Sequence, residues 1–177
     1  MKLSFNTLID LHKPLTEDSK VIDIGGGKGE YAGKIIERFN CYVWIFEPNP
    51  DYVQVLRETF KDNLKVKIIE KAVGKSGKLY LNQLSSSFDK NWARSETFIE
   101  VRGGRWSDLH LIPDILKINC EGGEYEALKE DFSLVPEILV QFHKVDGYEE
   151  KIGLVKEKLK LTHKIIYSEK WDLWQKF

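Results

Sequence analysis

The stretch Val21-Ile22-Asp23-Ile24-Gly25-Gly26-Gly27-Lys28-Gly29-Glu30-Tyr31 decides the fold. Its β-branched residues at positions 21, 22 and 24 predict a strand that is buried on both faces of a sheet. The glycines that follow allow the backbone to turn sharply and to approach a ligand closely. A helix is expected next, with its free N–H groups directed at whatever binds above the loop. The stretch therefore predicts a strand, a ligand-binding loop and a helix.

A second signal lies about 20 residues further on, the spacing expected for a nucleotide-binding βαβ unit. There Val43-Trp44-Ile45-Phe46 predicts another buried strand, which ends at Glu47. A carboxylate at the end of such a strand can accept hydrogen bonds from both hydroxyls of a ribose. The loop and this acidic residue together indicate a cofactor that contains adenosine.

Three kinds of loop compete for the glycine-rich segment. A phosphate-binding P-loop is excluded because Lys28 is followed by Gly29 instead of Ser or Thr. A dinucleotide motif fits residues 27–32 formally, but Glu30 would then face a pyrophosphate. S-adenosylmethionine carries no phosphate and has an ammonium group, which suits Asp23 and Glu30 better. We therefore favour S-adenosylmethionine over a dinucleotide and over a glycine turn that binds nothing.

Composition and charge restrict the class of protein. With 177 residues the chain is expected to form a single domain, spanning residues 1–177, with one core. Its 27 basic and 28 acidic residues are scattered, and the net charge of −1 argues against nucleic-acid partners. The thiols of Cys41 and Cys120 are expected to be free, as in a reducing compartment.

Targeting and metal signals are missing from the sequence. The first ten residues contain too many polar residues for a secretion signal, and no apolar run approaches ~20 residues. We therefore expect a cytoplasmic protein with no membrane partner. No Cys-x-x-Cys pair or histidine-rich cluster indicates a zinc site.

Hydrophobic periodicity predicts alternating strands and helices. The predicted strands are 20–24, 42–46, 78–81, 98–101, 115–120, 138–142, 161–167 and 171–174. A further strand is predicted to begin at residue 66 and to end between residues 69 and 73. The predicted helices are a short one within 1–19, then 29–39, 51–60, one from about 123 that includes Leu128 and Phe132, and 148–159. Residues 85–96 read as a loop. Such alternation is typical of a doubly wound α/β sheet.

Five motifs occur in an order that resembles the FkbM-type S-adenosylmethionine-dependent methyltransferases. They are Ile22-Asp23-Ile24-Gly25 with Gly29, Phe46-Glu47-Pro48-Asn49-Pro50, Lys71-Ala72-Val73-Gly74 with Gly77 and Leu81, Leu116-Lys117-Ile118-Asn119-Cys120-Glu121-Gly122-Gly123-Glu124 with Leu128, and Ile138-Leu139-Val140-Gln141-Phe142-His143. The resemblance implies a class I methyltransferase fold, which is Rossmann-like and mostly parallel with an antiparallel C-terminal strand. It also implies O-methylation of a sugar, glycan or related small metabolite, with S-adenosylhomocysteine as the product of the cofactor.

The sequence departs from the pattern of that family at three places. Gly26-Gly27-Lys28 stands where the family has Ala-Asn between its glycines. Asn119 replaces an aspartate and Gln141 replaces a glutamate. Magnesium prefers anionic oxygen ligands, so we expect no divalent metal in this chain.

The candidate site residues follow from these motifs, because ligands of open α/β sheets lie at the carboxyl ends of the strands. The cofactor-binding candidates are Asp23, Gly25, Gly27, Gly29, Tyr31, Glu47, Pro48, Ala72 and Asn119. His143 is the candidate general base, since an unperturbed imidazole titrates near pH ~6.5. Asn119 and Glu121 are expected to orient the cofactor or the acceptor, and His110 is the alternative base.

Two other functions remain open at this point. One is an NAD-linked oxidoreductase, which would bind a dinucleotide at the same loop. The other is a module that binds S-adenosylmethionine without catalysis, in keeping with the loss of acidic groups at Asn119 and Gln141. The sequence does not define the oligomeric state.

Overall fold

A computed structural model describes residues 5–82, 86–145 and 147–177. Its strands are β1 Lys20–Ile24, β2 Tyr42–Phe46, β3 Val66–Ile69, β4 Ala72–Val73, β5 Gly77–Tyr80, β6 Phe98–Val101, β7 Gly103–Gly104, β8 Ile115–Ile118, β9 Glu137–Val140, β10 His163–Ser168 and β11 Asp172–Lys176. Its α-helices are α1 Phe5–Asp10, α2 Glu30–Phe39, α3 Pro50–Thr59, α4 Lys90–Ala93, α5 Glu124–Ala127 and α6 Glu149–Lys160. A 3₁₀ turn spans Trp106–Leu109.

Seven strands form the central sheet, in the order β3-β2-β1-β8-β9-β11-β10. All of them are parallel except β11, which runs antiparallel to both β9 and β10. The strand order reverses between β1 and β8, and ligands bind at such a switch point in open α/β sheets. Two small two-stranded sheets, β4 with β7 and β5 with β6, lie outside this order.

The core lies on both faces of the central sheet, as the unbroken apolar strands predict. One face carries Ile22, Ile24, Leu116, Ile118, Ile138 and Val140, together with buried residues from α5, α6 and the 3₁₀ turn. The other carries Val21, Val43, Ile45, Ile115 and Leu139, together with residues of α1, α2 and α3. The predicted doubly wound architecture is confirmed.

Local signals explain how the two helices beside the glycine loop begin and end. Gly29 precedes α2 with φ of 90°, and Asn40 ends it with φ of 48°, a conformation that favours Gly and Asn. The side chain of Asn49 accepts a hydrogen bond from the Asp51 N–H and caps α3, while Pro50 occupies the first helical position.

Several predicted elements differ from the structure. Strand β3 ends at Ile69, and Ala72–Val73 pairs with Gly103–Gly104 in a separate sheet. The helix expected to reach Phe132 ends at Ala127. The segment 86–96, read as a loop, contains α4, which Asp89 caps through the N–H groups of Asn91 and Trp92.

Residues 1–4 of the expected N-terminal segment 1–19, and residue 85 of the expected loop, lie outside the described residues. Within the part of the chain that the structure describes, no helix is both long and apolar enough to cross a membrane.

Candidate cofactor and acceptor site

A cavity opens at the carboxyl ends of β1, β2 and β8, where the strand order reverses. Its lining comprises Ile24, Gly25, Gly27, Phe46, Glu47, Pro48, Tyr52, Lys71, Ala72, Val73, Leu79, Ser86, Phe88, Asn119, Cys120, Glu121 and Gly123. Of the predicted cofactor residues, Gly25, Gly27, Glu47, Pro48, Ala72 and Asn119 therefore meet around one cavity.

Gly25 makes the turn from β1 into the cavity. Its φ is 73°, and its N–H donates to the Phe46 carbonyl over 2.9 Å. A Cβ atom at this position would lie 1.9 Å from the carbonyl oxygen of Asn119. Only glycine fits, because the ends of β1 and β8 approach each other this closely.

Glu47 joins the glycine loop to the end of β2. Its carboxylate accepts hydrogen bonds from the Gly27 N–H over 2.8 Å and from the Asn49 N–H over 2.9 Å. Burial raises the pKa of this carboxyl to about 7, although both backbone hydrogen bonds and the charge of Lys117 act in the opposite direction. Glu47 thus fixes the glycine loop and also lines the cavity.

Asp23 does not line the cavity. It forms a buried ion pair with Lys117 from β8, with 2.6 Å between Oδ1 and Nζ, and Lys117 also donates to the Gly25 carbonyl. The positive charge of Lys117 therefore offsets the carboxylate that was expected to attract a cationic cofactor. A lysine inside the apolar strand Ile115–Ile118 indicates a buried cation that needs a partner, although it does not identify Asp23 as that partner.

Gly29 and Tyr31 also lie away from the cavity lining. A Cβ atom at Gly29 would meet the side chains of Leu56 and Phe60, so this glycine allows α2 to pack close to α3. Tyr31 is 2% exposed, and its hydroxyl lies 3.1 Å from Nε2 of His12. Both residues support the loop from beneath.

Asn119 and Glu121 form the other end of the cavity, after β8. The Oδ1 atom of Asn119 is buried and accepts no hydrogen bond among the described residues. Glu121 has a φ of 50°, which is uncommon for a residue with a side chain. The indole N–H of Trp92 donates to Oε2 of Glu121 over 3.0 Å, so α4 helps to hold this carboxylate.

His143 lies behind Glu121 and does not line the cavity. Its Nδ1 atom is 2.7 Å from Oε1 of Glu124, and its Nε2 atom is 3.4 Å from Oε1 of Glu121. Burial disfavours the charged imidazole, but the hydrogen bond to Glu124 and the charges of both carboxylates outweigh this effect and raise the pKa of His143. His110, the alternative base, is exposed at the end of the 3₁₀ turn and lies outside the lining.

In the described ranges, His, Cys, Asp and Glu side chains form no group of three or more arranged to hold a metal ion. The side chain of Glu124 is 3% exposed, and its carboxylate lies 2.7 Å from Nδ1 of His143. A glutamate that follows two glycines at the start of a helix does not reveal that burial.

No family model matches the chain. A curated relative, named as a probable ribosomal RNA small subunit methyltransferase A of Methanococcoides burtonii, is 35% identical over 66 residues. The match covers 37% of this chain, and the chain spans only 24% of the length of that relative. The FkbM resemblance is therefore not supported at the level of a family.

Solved structures share the fold across most of the chain at low sequence identity. A precorrin-6y C5,15-methyltransferase from Geobacter metallireducens has a TM-score of 0.53 and 15% identity, covering 92% of this chain and 82% of its own. An rRNA methylase from Streptococcus thermophilus scores 0.56 at 11% identity, with coverage of 92% and 89%. TrmK from M. capricolum, in complex with S-adenosylhomocysteine, scores 0.54 at 11% identity, with coverage of 99% and 70%.

The chain thus has the class I fold of S-adenosylmethionine-dependent methyltransferases, as predicted. The antiparallel β11 distinguishes this sheet from the six-stranded parallel dinucleotide fold, which disfavours the NAD alternative. The cofactor prediction agrees with the S-adenosylhomocysteine present in the TrmK structure.

The exclusion of nucleic-acid partners is wrong. The curated relative is named for methylation of ribosomal RNA, as is one of the similar structures. A net charge of −1 averages over the whole surface, whereas binding depends on where the lysines lie.

Proposed function

We propose that the protein transfers a methyl group from S-adenosylmethionine to an RNA acceptor. The observation that supports the cofactor is the cavity at the switch point, where Gly25, Glu47 and Asn119 meet. The observation that supports the acceptor is the similarity to the ribosomal RNA methyltransferase.

The lining of the cavity offers groups that suit the ribose, an N–H donor and the purine of the cofactor. Glu47 would accept the ribose hydroxyls, since a carboxylate forms strong hydrogen bonds with such donors. The unpartnered Oδ1 of Asn119 would accept an N–H of the cofactor, which satisfies a buried acceptor. The apolar surfaces of Phe46, Pro48 and Ala72 suit a purine ring. The cofactor supplies an electrophilic methyl group on its sulfonium sulfur.

Aromatic side chains with nearby lysines lie close to Glu121, beside a small second cavity that Glu121 also lines. Nζ of Lys75 lies 5.2 Å from the ring centroid of Phe88. The rings of Tyr125 and Tyr148 are 4.7 Å apart, and Nζ of Lys151 lies within 5 Å of both centroids. Unpaired RNA bases stack on such rings, and lysines neutralise phosphates. We call these five residues the aromatic rim.

Methyl transfer assays with labelled S-adenosylmethionine test the proposal directly. The acceptor panel would contain ribosomal RNA, transfer RNA, total protein, and a mixture of sugars and nucleotide sugars. We expect the label to appear in an RNA fraction and to be released when that fraction is digested with ribonuclease. Label confined to the sugar fraction would contradict the RNA acceptor and favour the O-methylation implied by the FkbM resemblance. Binding of S-adenosylmethionine without label in any acceptor would favour the non-catalytic module.

Tyr148→Ala is expected to weaken binding of the RNA acceptor without weakening binding of the cofactor. Stacking on an aromatic ring is worth roughly 1–3 kcal/mol per base, so KM for RNA should rise about 5-fold to 100-fold. S-adenosylmethionine affinity should stay unchanged, because Tyr148 does not line the cofactor cavity. Steady-state kinetics and calorimetry measure the two effects.

Tyr42→Ala is the matched control. Tyr42 is also a partly exposed tyrosine, and Nζ of Lys65 lies 5.1 Å from its ring centroid. It is the first residue of β2, so it lies at the amino ends of the strands, away from the cavity at their carboxyl ends. Equal changes in KM for both variants would show that the aromatic rim does not bind the acceptor.

A further inference from the structure

The imidazole of His143 lies between two carboxylates of different accessibility. Glu124, on the side of Nδ1, is 3% exposed, whereas Glu121, on the side of Nε2, is 24% exposed and lines the cavity. The side-chain amide of Gln141 also lies 2.9 Å from Nε2 of His143, and its oxygen accepts from an imidazolium N–H whereas its nitrogen donates to a neutral ring. Both ring nitrogens are therefore engaged, and neither is directed into the cavity.

The buried carboxylate of Glu124 is fixed by the turn that it belongs to. It accepts hydrogen bonds from the N–H of Cys120 over 3.2 Å and from the N–H of Gly122 over 3.1 Å. A buried charge of this kind is costly unless a cation pairs with it. The imidazole of His143, 2.7 Å away, would supply that cation in its protonated form.

Glu121 is held at three points. Its carboxylate receives the Trp92 indole N–H and faces Nε2 of His143, and its carbonyl accepts the Ser87 hydroxyl over 2.8 Å. Backbone with positive φ at a non-glycine residue costs roughly 1–3 kcal/mol and is common at functional sites. The surroundings thus fix one carboxylate at the acceptor end of the cavity.

We propose that Glu121 accepts the proton of the acceptor, and that His143 is a positioning residue that acts as an imidazolium between Glu121 and Glu124. This assignment rests on the methyltransferase function proposed above. The acceptor atom forms a bond to the methyl carbon, the carbon–sulfur bond breaks with its electron pair going to sulfur, and the proton of the acceptor goes to Glu121. His143 keeps its proton throughout.

The two candidate bases predict opposite pH profiles. If His143 were the base, the rate would rise as the imidazole loses its proton. If His143 positions Glu121, the rate falls as the imidazole loses its proton, and this limb lies above pH ~6.5 because the pKa of His143 is raised. The charged groups that act on His143 are Glu124, Glu121 and, in the opposite direction, Lys170.

Three variants separate these roles. Glu121→Gln should lower kcat by roughly 10²-fold or more, because a positioned base contributes about that factor. His143→Gln should lower kcat by roughly 10-fold through misalignment, and should abolish the alkaline limb. Glu124→Gln should move that limb to lower pH. Glu157→Gln, an exposed carboxylate on α6 that pairs with Lys160, is the control and should change none of these.

Calorimetry with S-adenosylmethionine and an NMR titration of the His143 ring complete the experiment. All variants should bind the cofactor. The His143 imidazole should titrate above its ordinary range in the wild type, and at lower pH in the Glu124→Gln variant. A Glu121→Gln variant with normal turnover, or a wild-type rate that rises through the His143 titration, would overturn the assignment. If the wild type methylates no acceptor, the proposed function fails. If the His143 imidazole also titrates in its ordinary range, the proposed imidazolium between Glu121 and Glu124 fails as well.

Discussion

Glu47→Gln should abolish most of the cofactor affinity. Hydrogen bonds to a charged group are worth about 1.5–3 kcal/mol each, so two ribose hydroxyls that lose a carboxylate should weaken binding by at least about 10²-fold. The glutamine amide has one oxygen and one NH₂ group in place of two carboxylate oxygens. The N–H of Gly27 or of Asn49 would therefore lose its acceptor. Calorimetry measures the affinity directly.

Thermal unfolding gives a second readout for Glu47. S-adenosylmethionine at about 100 times its dissociation constant should stabilise the wild type by roughly 2.7 kcal/mol and the variant much less. NADH at the same concentration should stabilise neither. Glu70→Gln is the control, because Glu70 is an exposed carboxylate paired with Arg57. Stabilisation by NADH but not by S-adenosylmethionine would refute the methyltransferase proposal.

The raised pKa of Glu47 adds a pH dependence to the same experiment. Ribose hydroxyls bind the ionised carboxylate, and a carboxyl with a pKa of about 7 is mostly protonated at pH 6. Affinity should therefore be about tenfold tighter at pH 8 than at pH 6, and Glu47→Gln should remove this difference.

The stability of the free protein should change in the opposite direction with pH. A carboxyl whose pKa is raised from 4.5 to about 7 favours the folded state in its protonated form. That contribution, roughly 3 kcal/mol, is complete below pH ~4.5 and is lost as the pH rises through about 7.

The sequence predicted the lining of the cavity better near β1 and β2 than beyond β8. Strands β1 and β2 and the residues at their ends form one continuous motif, so periodicity and spacing place Gly25 and Glu47 beside the cavity, where the structure has them. Asp23 is different, because its partner Lys117 lies 94 positions away and only the fold brings the two together. Sequence patterns do not reveal such pairings.

Beyond β8, local patterns did not predict which side chains line the cavity. His143 follows a buried strand, which suggested an imidazole at the sheet edge facing the cavity. In the structure Glu124 is buried against His143 and Glu121 stands in front of it. Charge composition failed for a related reason, because a net charge of −1 does not show that Lys75 and Lys151 lie beside aromatic rings near the site.

Gly25→Ala should destabilise the fold far more than Gly27→Ala. At Gly25 a methyl group would lie 1.9 Å from the Asn119 carbonyl oxygen and 2.8 Å from its carbon, and both are backbone atoms that cannot move aside. The positive φ of 73° adds about 1–2 kcal/mol of strain. Together these should cost more than about 4 kcal/mol, a size reserved for severe local disruption.

Gly27 provides the matched comparison within the same loop. It also has a positive φ, 55°, but a Cβ atom there would meet nothing within 4 Å. Gly27→Ala should therefore cost only the strain, about 1–2 kcal/mol. Urea unfolding of both variants measures the difference. Equal losses would mean that the ends of β1 and β8 are not in tight contact. A much larger loss at Gly25 would show that the close contact between the ends of β1 and β8 stabilises the fold.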